Sequence, residues 1–591
     1  MQIAAFNRRR LLQGAGLGAG LLGLQGLVPA WARSGTHGLT PGGSVLSGEH
    51  IRLSVDHGPF ELGGRRGHAF MVNGLLPSPL IRLKEGQKVH ISVENRLKED
   101  TSVHWHGLLL PFQMDGVPGV SFPGIKPGQT FDYQFPVKQA GTYWYHSHSN
   151  MQEAMGMFGP MVIDPAGADP VGYDREHVIV LSDWSWLHPH DILGRLKKSP
   201  GYFNQQKTTV AGLLDGSDRM SASERRMWAA MRMDPRDISD VTGTTYTYLV
   251  NGHGPEDNWT ALFEPGERVR LRLINASAMS IFNVRIPGLA LSVVQADGEN
   301  IAPVEVDELQ ISVAETYDVV VTPREDRAYT LVAEASDRSG MARATLAPRM
   351  GMEAEVPPLR PVPNLTMKDM GMGGAMAGMD HGSMDHSAMG HGGMDHGGGA
   401  MDHSASAMRD ASKVPDSVNV GVGVDMIAPS PANRLGDRPL GLEEVDHRVL
   451  VYTDLKSLHP HADQPTPTRE MEIHLTGNME RYMWGFDGRK FSEIVEPIRF
   501  GLNERVRVTL VNNTMMAHPI HLHGHFFELV NGHGPRQPKK HTVNVAPGSK
   551  LSFDLTADAP GDWAFHCHLL MHMHSGMFNV VTVRPLEGGA A

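Results

Sequence analysis

The chain has 591 residues, 40% of them apolar, so we expect several folded domains with hydrophobic cores of their own. The formal net charge of −12, from 65 acidic against 53 basic side chains, disfavours a nucleic acid or an anionic membrane held by bulk electrostatic attraction. A single cysteine excludes an internal disulfide, so its thiol is free, bonded to another chain or a metal ligand.

The first 32 residues are typical of an export signal. Three consecutive arginines, residues 8–10, precede an apolar run, and Ala30-Trp31-Ala32 supplies small residues for cleavage. Repeated glycines dilute the run, whereas a stable membrane span needs about 20 strongly apolar residues. The sequence therefore predicts a twin-arginine signal peptide over residues 1–32, no membrane span in the mature chain, and a location in a bacterial periplasm.

One short pattern occurs three times, as a turn followed by alternating β-branched and polar residues that end at an asparagine. Each copy predicts a turn that enters a strand, and similar short strands fill the surrounding sequence. The copies occupy residues 85–95, 265–275 and 502–512. We therefore predict an all-β fold of three related β-sandwich domains. Their expected spans are 45–165, 175–348 and 441–586.

Two segments depart from this β pattern. Residues 201–240 have a helix-like composition, which predicts a surface excursion of the second domain. We expect its methionines to pack rather than to bind metal, because methionine at helical spacing usually fills a core. Residues 349–440 are predicted to be a Met/His-rich linker between the second and third domains.

The asparagine that ends each repeat is a common origin for comparing the three domains. The ninth and eleventh residues after it are His104 and His106 in the first domain, Val284 and Ile286 in the second, and His521 and His523 in the third. The second domain therefore has apolar residues where its two relatives have imidazoles. This difference predicts metal binding by the first and third domains only.

A second alignment starts at Gly141 in the first domain and at Gly561 in the third. The fifth and seventh residues after these glycines are His146 and His148, and His566 and His568. At the intervening and following positions, Ser147, Gln152 and Met157 correspond to Cys567, His572 and Met577. The third domain thus carries a set of soft ligands that the first domain lacks.

Strand geometry predicts what these motifs bind. Residues i and i+2 lie about 7 Å apart on one face of a strand, and residue i+1 points to the other face. In residues 566–568 the two imidazoles therefore share one side, and the Cys567 thiolate points away from them. Cys567, His518, His572 and Met577 make up the imidazole, thiolate and weak thioether set of a blue copper site.

Neither a polar strand nor a zinc site accounts for these motifs as well as copper does. An ordinary polar strand is compatible with a single His-x-His motif, but not with four of them at aligned positions. Zinc also binds histidine and cysteine, but a structural zinc site has four ligands and no axial thioether. The overall content of 34 methionines and 32 histidines suits copper better than calcium or magnesium.

Four motifs together resemble the ligand motifs of the multicopper oxidases: HWHG at 104–107, HSH at 146–148, HPIHLHGH at 518–525 and HCHLLMHMHSGM at 566–577. The resemblance spans all three domains and implies cupredoxin-like Greek-key β-sandwiches. It assigns the type 1 copper to His518, Cys567, His572 and, axially, Met577. It assigns the type 2 copper to His104 and His521. Of two type 3 coppers, one takes His106, His146 and His568, and the other takes His148, His523 and His566.

The resemblance also implies a reaction. In this family a reducing substrate gives up single electrons at the type 1 copper, and the trinuclear cluster uses four of them to reduce dioxygen to water. Cys567 carries the electrons between the two sites. Asp115 resembles an acid that family members place near the cluster, although a turn carboxylate explains it equally well. Some relatives have another acid in the last motif, but here residues 569–571 and 573 are leucine or methionine.

A glycine-rich tract in the linker repeats Met-x-His at nearly regular spacing. Its pairs are Met379/His381, Met384/His386, Met389/His391, Met394/His396 and Met401/His403. With glycine, serine and alanine between them, these residues have little to bury, so we expect a disordered insert. A flexible linker needs no such register, which favours capture of additional copper. Together with the export signal, the tract resembles the bacterial periplasmic copper-resistance members of the family (CopA/PcoA type).

Three functions remain open from the sequence. The first is a cuprous oxidase, with Cu(I) and dioxygen as substrates and other copper-handling proteins as partners. The second is a laccase-like phenol oxidase, which needs an open apolar pocket beside His572. The third is non-catalytic copper sequestration, although sequestration has no use for a cysteine joined to a trinuclear site.

Overall fold

The computed structural model describes residues 44–216, 218, 220–372, 408–461 and 465–585. The described chain folds into three successive β-sandwiches, which confirms the predicted all-β class. None of its helices has both the length and the apolar character that crossing a bilayer requires.

Two predicted features lie outside the described residues. The first is the signal peptide over residues 1–32. The second is the Met/His tract with its predicted disorder, whose pairs are Met379/His381, Met384/His386, Met389/His391, Met394/His396 and Met401/His403. The additional copper binding expected of these pairs therefore stays a prediction.

The first sandwich consists of β1 (Val45–Ser47), β2 (His50–Leu62), β3 (Arg65–Val72), β4 (Leu80–Lys84), β5 (Lys88–Asn95), β6 (His104–His106), β7 (Thr130–Pro136), β8 (Gly141–His146) and β9 (Phe158–Asp164). The strand orders of its two sheets are β1-β4-β9-β8-β6 and β3-β2-β5-β7. Strands β6 and β8 are antiparallel neighbours, with His104 opposite His146. The two histidine motifs of this domain therefore lie side by side.

The second sandwich consists of β10 (Arg175–Trp184), β11 (Thr247–Val250), β12 (Thr260–Leu262), β13 (Val269–Asn275), β14 (Phe282–Arg285), β15 (Leu291–Ala296), β16 (Glu299–Val306), β17 (Glu308–Ile311), β18 (Thr316–Val321), β19 (Tyr329–Ala335) and β20 (Met341–Ala347). Its sheets have the orders β11-β10-β13-β18-β15-β16 and β12-β20-β19-β14-β17. Val284 and Ile286, which replace the imidazoles of the other domains, are buried. They fill the core of this sandwich.

The third sandwich consists of β21 (Ala432–Asn433), β22 (Arg469–Asn478), β23 (Met483–Phe486), β24 (Ile498–Gly501), β25 (Arg505–Asn512), β26 (His518–Leu522), β27 (Phe527–Leu529), β28 (Lys539–Lys540), β29 (Thr542–Val545), β30 (Ser549–Thr556), β31 (Gly561–Cys567) and β32 (Phe578–Arg584). One sheet has the order β23-β22-β25-β30-β27-β28, with β21 beside β30, and the other has the order β24-β32-β31-β26-β29. Strands β26 and β31 are antiparallel, with His521 opposite His566 and Ile520 opposite Cys567.

The threefold repeat of the sequence is confirmed as three equivalent strands, β5, β13 and β25, each ending at its asparagine. The Nδ2 atoms of Asn95, Asn275 and Asn512 donate to backbone carbonyls four or five residues later, over 2.8, 2.8 and 2.7 Å. Each asparagine therefore closes the loop that follows its strand. Because the histidines are counted from these residues, the repeat also sets their positions in the first and third domains.

Helices are short in the described residues: α1 (Pro189–Leu196), α2 (Val210–Asp215), α3 (Ala222–Met231) and α4 (Leu570–His574). Short 3₁₀ turns lie at Phe112–Met114, Glu153–Met155, Pro255–Asp257, Ala411–Lys413, Tyr452–Asp454, Phe491–Glu493 and Gly534–Arg536. The helix-like excursion is confirmed, since it holds α2 and α3. Helix α3 begins with a capping box between Ser221 and Glu224 and buries Trp228 and Met231.

Helix α3 belongs to a small hydrophobic core that is rich in methionine and that we name the methionine cluster. Its buried members are Trp228, Met231, Leu365, Met370, Met372, Met408, Met426 and Met515, and Met220, Met227, Met233 and Met367 pack against them. The methionines of the excursion therefore pack, as predicted, and two of them, Met231 and Met233, also line a neighbouring cavity. Both described flanks of the predicted linker, residues 349–372 and 408–440, also contribute to this cluster, through Met372 and Met408 among others.

Candidate metal centres

One group of soft donors, which we name the cysteine site, consists of His518, Cys567, His572 and Met577. His518 begins β26, Cys567 ends β31 and His572 lies in α4. The Cys567 Sγ lies 3.6 Å from Nδ1 of His518 and 3.9 Å from Nδ1 of His572, and the two Nδ1 atoms are 3.2 Å apart. Met577 is buried, and its backbone carbonyl accepts a hydrogen bond from the Cys567 N–H. The structure thus brings the four predicted residues together.

The donors of the cysteine site fit a single copper ion. Three atoms spaced by 3.2–3.9 Å leave room for a central ion that they would hold at ordinary coordination distances of about 2.0–2.3 Å. Burial raises the pKa of the Cys567 thiol, so that a metal ion is needed to hold it as thiolate. Burial and the neighbouring His572 lower the pKa of His518 well below its usual value, which keeps this imidazole neutral. Two imidazoles and one thiolate are the trigonal set of blue copper sites.

Hydrogen bonds from the outer nitrogens hold these two imidazoles in place. Nε2 of His518 donates to the Thr514 hydroxyl over 2.7 Å, and Nε2 of His572 donates to Oδ2 of Asp240 over 2.8 Å. Both Nδ1 atoms are therefore left free to face the metal. Asp240 also accepts a hydrogen bond of 2.7 Å from the Tyr482 hydroxyl.

The eight paired histidines form a second group, which we name the histidine cluster, between the first and third sandwiches. Two triplets have ligand atoms that all lie within 4.8 Å of one another: His106, His146 and His568, and His148, His523 and His566. These triplets have the composition that the resemblance implies for the type 3 coppers. His104 and His521 belong to the same cluster, with ring centroids 5.9 Å apart.

The inner nitrogens of the histidine cluster show that it is built for metal. Several Nδ1 atoms are used on the outside: that of His104 donates to the Asp115 carbonyl and that of His521 to the His541 carbonyl, both over 2.7 Å. By contrast, buried Nε2 atoms without any hydrogen-bond partner belong to His104, His106, His146, His148, His521 and His568. Buried polar atoms are rarely left unpaired, so this group is explained by metal ligation.

Burial keeps the histidine cluster neutral. It lowers the pKa well below the usual value, with help from neighbouring imidazoles, for His106, His146, His148, His521, His523 and His568. The pKa of His566 is lowered to about 4, also by burial. Neutral imidazole is the form that binds metal, and burial thereby favours loading.

Asp115 lies directly against the histidine cluster. It is buried, and its Oδ2 accepts a hydrogen bond of 2.9 Å from Nδ1 of His523, while Oδ1 lies 3.3 Å from Nδ1 of His104. The structure therefore places the predicted acid beside two cluster histidines, one from each outer domain. It is more than a turn carboxylate.

Glu153 is a second carboxylate at the cluster that sequence reasoning missed. Its Oε2 lies 2.8 Å from Nδ1 of His146, and its Oε1 lies 3.8 Å from Nδ1 of His568. The side chain is buried in the 3₁₀ turn between β8 and β9, and burial raises its pKa well above the usual value. Its position five residues after His148 was the one available signal.

His541 is a further histidine beside the cluster. Its ligand nitrogen lies within 4.8 Å of those of His106 and His521, and its own Nε2 has no hydrogen-bond partner. The ring occupies the space above Gly107, where a Cβ atom would collide with Nε2. Glycine at 107, with φ of +82°, therefore makes room for this imidazole. No paired motif marks His541 in the sequence.

The first domain contains a hydrogen-bonded counterpart of the cysteine site. Counting from Asn95 and Asn512, Thr101 corresponds to His518, and Ser147, Gln152 and Met157 correspond to the other three ligands. Oε1 of Gln152 accepts hydrogen bonds from Thr101 over 2.7 Å and from Ser147 over 2.8 Å. The Thr101 hydroxyl also lies 3.4 Å from Sδ of Met157. We name these four residues the counterpart site. They lie close together, as the ligands of the cysteine site do, but their polar atoms form hydrogen bonds with one another.

Four histidines of the tract were predicted as ligands of extra copper, and this prediction is separate from the two centres described above. The cysteine site and the histidine cluster are complete without them, because the sandwiches supply all twelve predicted ligands. The four are His381, His386, His391 and His396, which lie outside the described residues together with Met379, Met384, Met389 and Met394.

Similarity to known proteins agrees with this geometry. Sequence families described as multicopper oxidase match residues 55–168, 175–349 and 464–587. The chain is 49% identical to Copper resistance protein A from Pseudomonas syringae pv. tomato, over 98% of this chain and 99% of that protein. It is 47% identical to Copper resistance protein A from Escherichia coli with the same coverage.

Solved structures show the same fold. The laccase from Botrytis aclada superposes with a TM-score of 0.57 at 20% identity, covering 91% of this chain and 88% of that one. At this identity the likeness concerns the fold alone. Together with the matches along all three domains, it agrees with the cupredoxin-like architecture expected from the motifs. The chain therefore belongs to the multicopper oxidase family, and it is an oxidoreductase whose cofactor is copper.

Proposed function

We propose that this chain is a copper-resistance oxidase of the bacterial periplasm that oxidises Cu(I) to Cu(II) and reduces dioxygen to water. The observation that carries the choice of substrate is the closure of His572, the imidazole at the edge of the cysteine site. The names of two nearly full-length relatives, both Copper resistance protein A, point in the same direction.

We assign the cysteine site to the type 1 copper and His104 with His521 to the type 2 copper. The triplets containing His146 and His148 are assigned to the two type 3 coppers. Bound copper would supply single-electron oxidation at the cysteine site and four-electron reduction of dioxygen at the histidine cluster. The chain itself offers the connection, because His566 and His568 are the covalent neighbours of Cys567.

The surroundings of His572 disfavour a phenol as substrate. His572 is 0% exposed, the Trp484 ring stacks on it with centroids 3.9 Å apart, and Nε2 is already bonded to Asp240. A phenol must approach this imidazole through an open apolar pocket. Here the position is filled by an indole ring and a carboxylate, and the carboxylate suits a cation better than a phenol.

A cavity beside the methionine cluster has the chemistry to receive Cu(I). We name it the methionine cavity; its volume is about 670 Å³. The sulfur-bearing residues that line it are Met231, Met233, Met408, Met426, Met479 and Met515, and its acids are Asp234, Asp237, Asp425 and Glu480. Thioethers select Cu(I), and carboxylates offset the charge of a cation. The described residues that flank the Met/His tract, Met372 and Met408, belong to the methionine cluster, which supports a route for captured copper into the cavity.

Three residues of the cavity wall are close in sequence to residues that are hydrogen-bonded at the cysteine site. Asp237 in the wall is three residues before Asp240, which is bonded to His572. Met479 is three residues before Tyr482, whose hydroxyl is bonded to Asp240. Met515 follows Thr514, which is bonded to His518. Electrons released in the cavity therefore have short paths to both imidazoles of the cysteine site.

Asp115 is the group that we propose supplies protons during dioxygen reduction. The reaction consumes protons, and a positioned acid within hydrogen-bond reach delivers them efficiently. The Asp115 carboxylate touches His104 and His523, and Oδ1 has no other hydrogen-bond partner. Its remaining acceptor position is thus open toward the cluster.

We further propose export by the twin-arginine route and capture of additional Cu(I) by the Met/His tract. The arginine run and the regular Met-x-His spacing support these two assignments. Replacing the tract methionines by serine, at unchanged length, should reduce the copper bound per chain and leave the blue absorption of the cysteine site intact. Unchanged copper binding would contradict the role of the tract.

A pair of matched methionine variants tests the substrate. Met231→Leu with Met408→Leu removes two thioethers from the cavity, and Met71→Leu with Met161→Leu removes two buried thioethers from the first domain. Leucine conserves volume, so both variants should fold, at a cost below about 1.5 kcal/mol per site. We expect the cavity variant to raise the KM for Cu(I) about tenfold and the control to leave it unchanged. An unchanged KM in the cavity variant would overturn the proposal.

A further inference from the structure

Two buried carboxylates contact the histidine cluster in a related arrangement. Asp115 contacts His104 of the first domain and His523 of the third. Glu153 contacts His146 of the first domain and His568 of the third. Each carboxylate thus joins one ligand from either side of the domain interface. Only Asp115 corresponds to an acid expected from the sequence.

The two histidines that Glu153 contacts belong to one metal. His146 and His568 share a triplet with His106, and their ring centroids are 5.0 Å apart. Their Nε2 atoms are both buried without a partner, whereas their Nδ1 atoms face Glu153. A carboxylate oxygen that accepts from Nδ1–H, as Oε2 can at 2.8 Å from His146, leaves Nε2 free for metal, whereas Oε1 at 3.8 Å from His568 makes a longer electrostatic contact. A cation held by the Nε2 atoms in turn offsets the cost of burying this carboxylate.

We propose that Glu153 is a positioning residue that orients His146 and His568 together and so completes one type 3 site across the domain interface. The inference rests on the proposed assignment of these two histidines to one copper. His146 has an alternative acceptor, the Ser147 carbonyl at 3.2 Å, so the role proposed for Glu153 is to relate His146 to His568 of the third domain. Among the acidic groups of the described residues, the Glu153 carboxylate is the one paired with both imidazoles.

The position of Glu153 is itself fixed by its surroundings. The 3₁₀ turn Glu153–Met155 ends at Gly156, which has a φ of +108°. Gln152, immediately before it, donates from Nε2 to the Asp100 carbonyl and to Glu99, over 2.9 and 2.6 Å. These hydrogen bonds attach the turn to the loop that precedes β6. They thereby fix the position of the Glu153 carboxylate beside His146 and His568.

Two variants separate orientation from simple packing. Glu153→Leu removes both acceptor oxygens, and Glu153→Gln keeps one oxygen and the shape of the side chain. Outer partners of metal ligands typically contribute about 10–100-fold to metal affinity. We expect Glu153→Leu to weaken one copper of the cluster by that factor against a chelator, and Glu153→Gln to weaken it less. The blue absorption of the cysteine site should persist in both.

Electron paramagnetic resonance gives a readout that packing alone does not change. Losing one member of a coupled type 3 pair leaves its partner as an isolated Cu(II), so the EPR-visible fraction of bound copper should rise in Glu153→Leu. Asp183→Asn is the control, because Asp183 is buried nearby but bonds to Ala278, Met279 and Ser280. It should retain the wild-type copper content and spectrum.

The outcomes distinguish this inference from the proposed function. Failure of the wild-type chain to load the histidine cluster would overturn both. A fully loaded wild type with a Glu153→Leu variant of equal copper affinity and spectrum would overturn the positioning role alone. Equal losses in Glu153→Leu and Asp183→Asn would reduce Glu153 to a packing residue. If Glu153→Leu does not fold, the near-isosteric Glu153→Gln decides by the same two measurements.

Discussion

The indole ring of Trp484 stacks on the imidazole of His572, with 3.9 Å between centroids and 24° between planes. Trp484 comes from β23, whereas His572 lies in α4, and both are buried. The ring covers the face of the cysteine site that an organic reductant would need. Under the proposed function this contact disfavours a bulky organic substrate, while the hydrogen bond between His572 and Asp240 offers an electron path.

Removing the indole ring of Trp484 should allow the protein to oxidise phenols. Trp484→Ala removes the indole ring, so we expect kcat/KM for a small phenol to rise about tenfold or more, equivalent to about 1.4 kcal/mol of barrier. Cu(I) turnover should fall by a smaller factor. Oxygen consumption with each substrate provides the measurement. Trp259→Ala, at a buried indole of the second domain, is the control and should gain no phenol activity.

Neutralising Asp240 should affect Cu(I) oxidation and the potential of the cysteine site. The carboxylate favours the more positive oxidised metal, so Asp240→Asn should raise the reduction potential measured by titrating the blue absorption. We also expect kcat/KM for Cu(I) to fall about 10–100-fold, since the carboxylate is bonded to His572 and lies three residues after Asp237 of the cavity wall.

Tyr482→Phe is the matched control for this change. It removes the other hydrogen bond to Asp240 but keeps the charge, so the potential should shift less than in Asp240→Asn. Unaltered Cu(I) kinetics in Asp240→Asn would show that electrons enter the cysteine site by another route.

The counterpart site in the first domain should bind copper when it is given the ligands of the third domain. The triple variant Thr101→His, Ser147→Cys and Gln152→His, with Met157 already present, reproduces the donor set of the third domain. Because the native residues already converge within hydrogen-bond distance, we expect a second blue centre and about twice the visible absorption per chain. Wild-type copper content in a folded, blue triple variant would contradict this geometric equivalence.

Asp425 should make the folding stability of the apoprotein depend on pH. Burial raises its pKa from 3.8 to about 6, so the folded chain holds this proton more tightly than the unfolded chain does. The contribution of the protonated Asp425 side chain to the free energy of unfolding is fully present below about pH 4 and is lost as the pH rises toward 6. Asp425→Asn removes the titration and should gain stability relative to the wild type over that window, by up to about 3 kcal/mol. Denaturant unfolding of both apoproteins at pH 4 and pH 7 tests the sign.

The ligands were predictable because their chemistry is local. The paired histidines lie two residues apart on single strands, and Cys567, His572 and Met577 lie within one short motif, so spacing alone defines them. The repeat supplied the remaining information, since the same count from Asn95 and Asn512 reaches both His104 and His521. Assignment of each histidine to a particular copper stays a proposal.

The residues that surround the ligands were less predictable because they come from distant parts of the chain. Asp240 and His572 are 332 positions apart, and no local spacing relates them. The methionine cavity combines the excursion, the second flank of the linker and the third domain, so only the folded chain creates it. Glu153 is close in sequence to His148, but an acid in a short turn ordinarily indicates a solvated surface.

The ratio of Cu(I) oxidised to dioxygen consumed by the copper-loaded chain tests the central claim most directly. We expect four Cu(I) per dioxygen, no accumulation of hydrogen peroxide, and little turnover of a phenol under the same conditions. Cys567→Ser should abolish both the blue absorption and the Cu(I) activity. Rapid phenol oxidation without Cu(I) oxidation in the intact chain would contradict the central claim, as would Cu(I) turnover that survives the loss of Cys567.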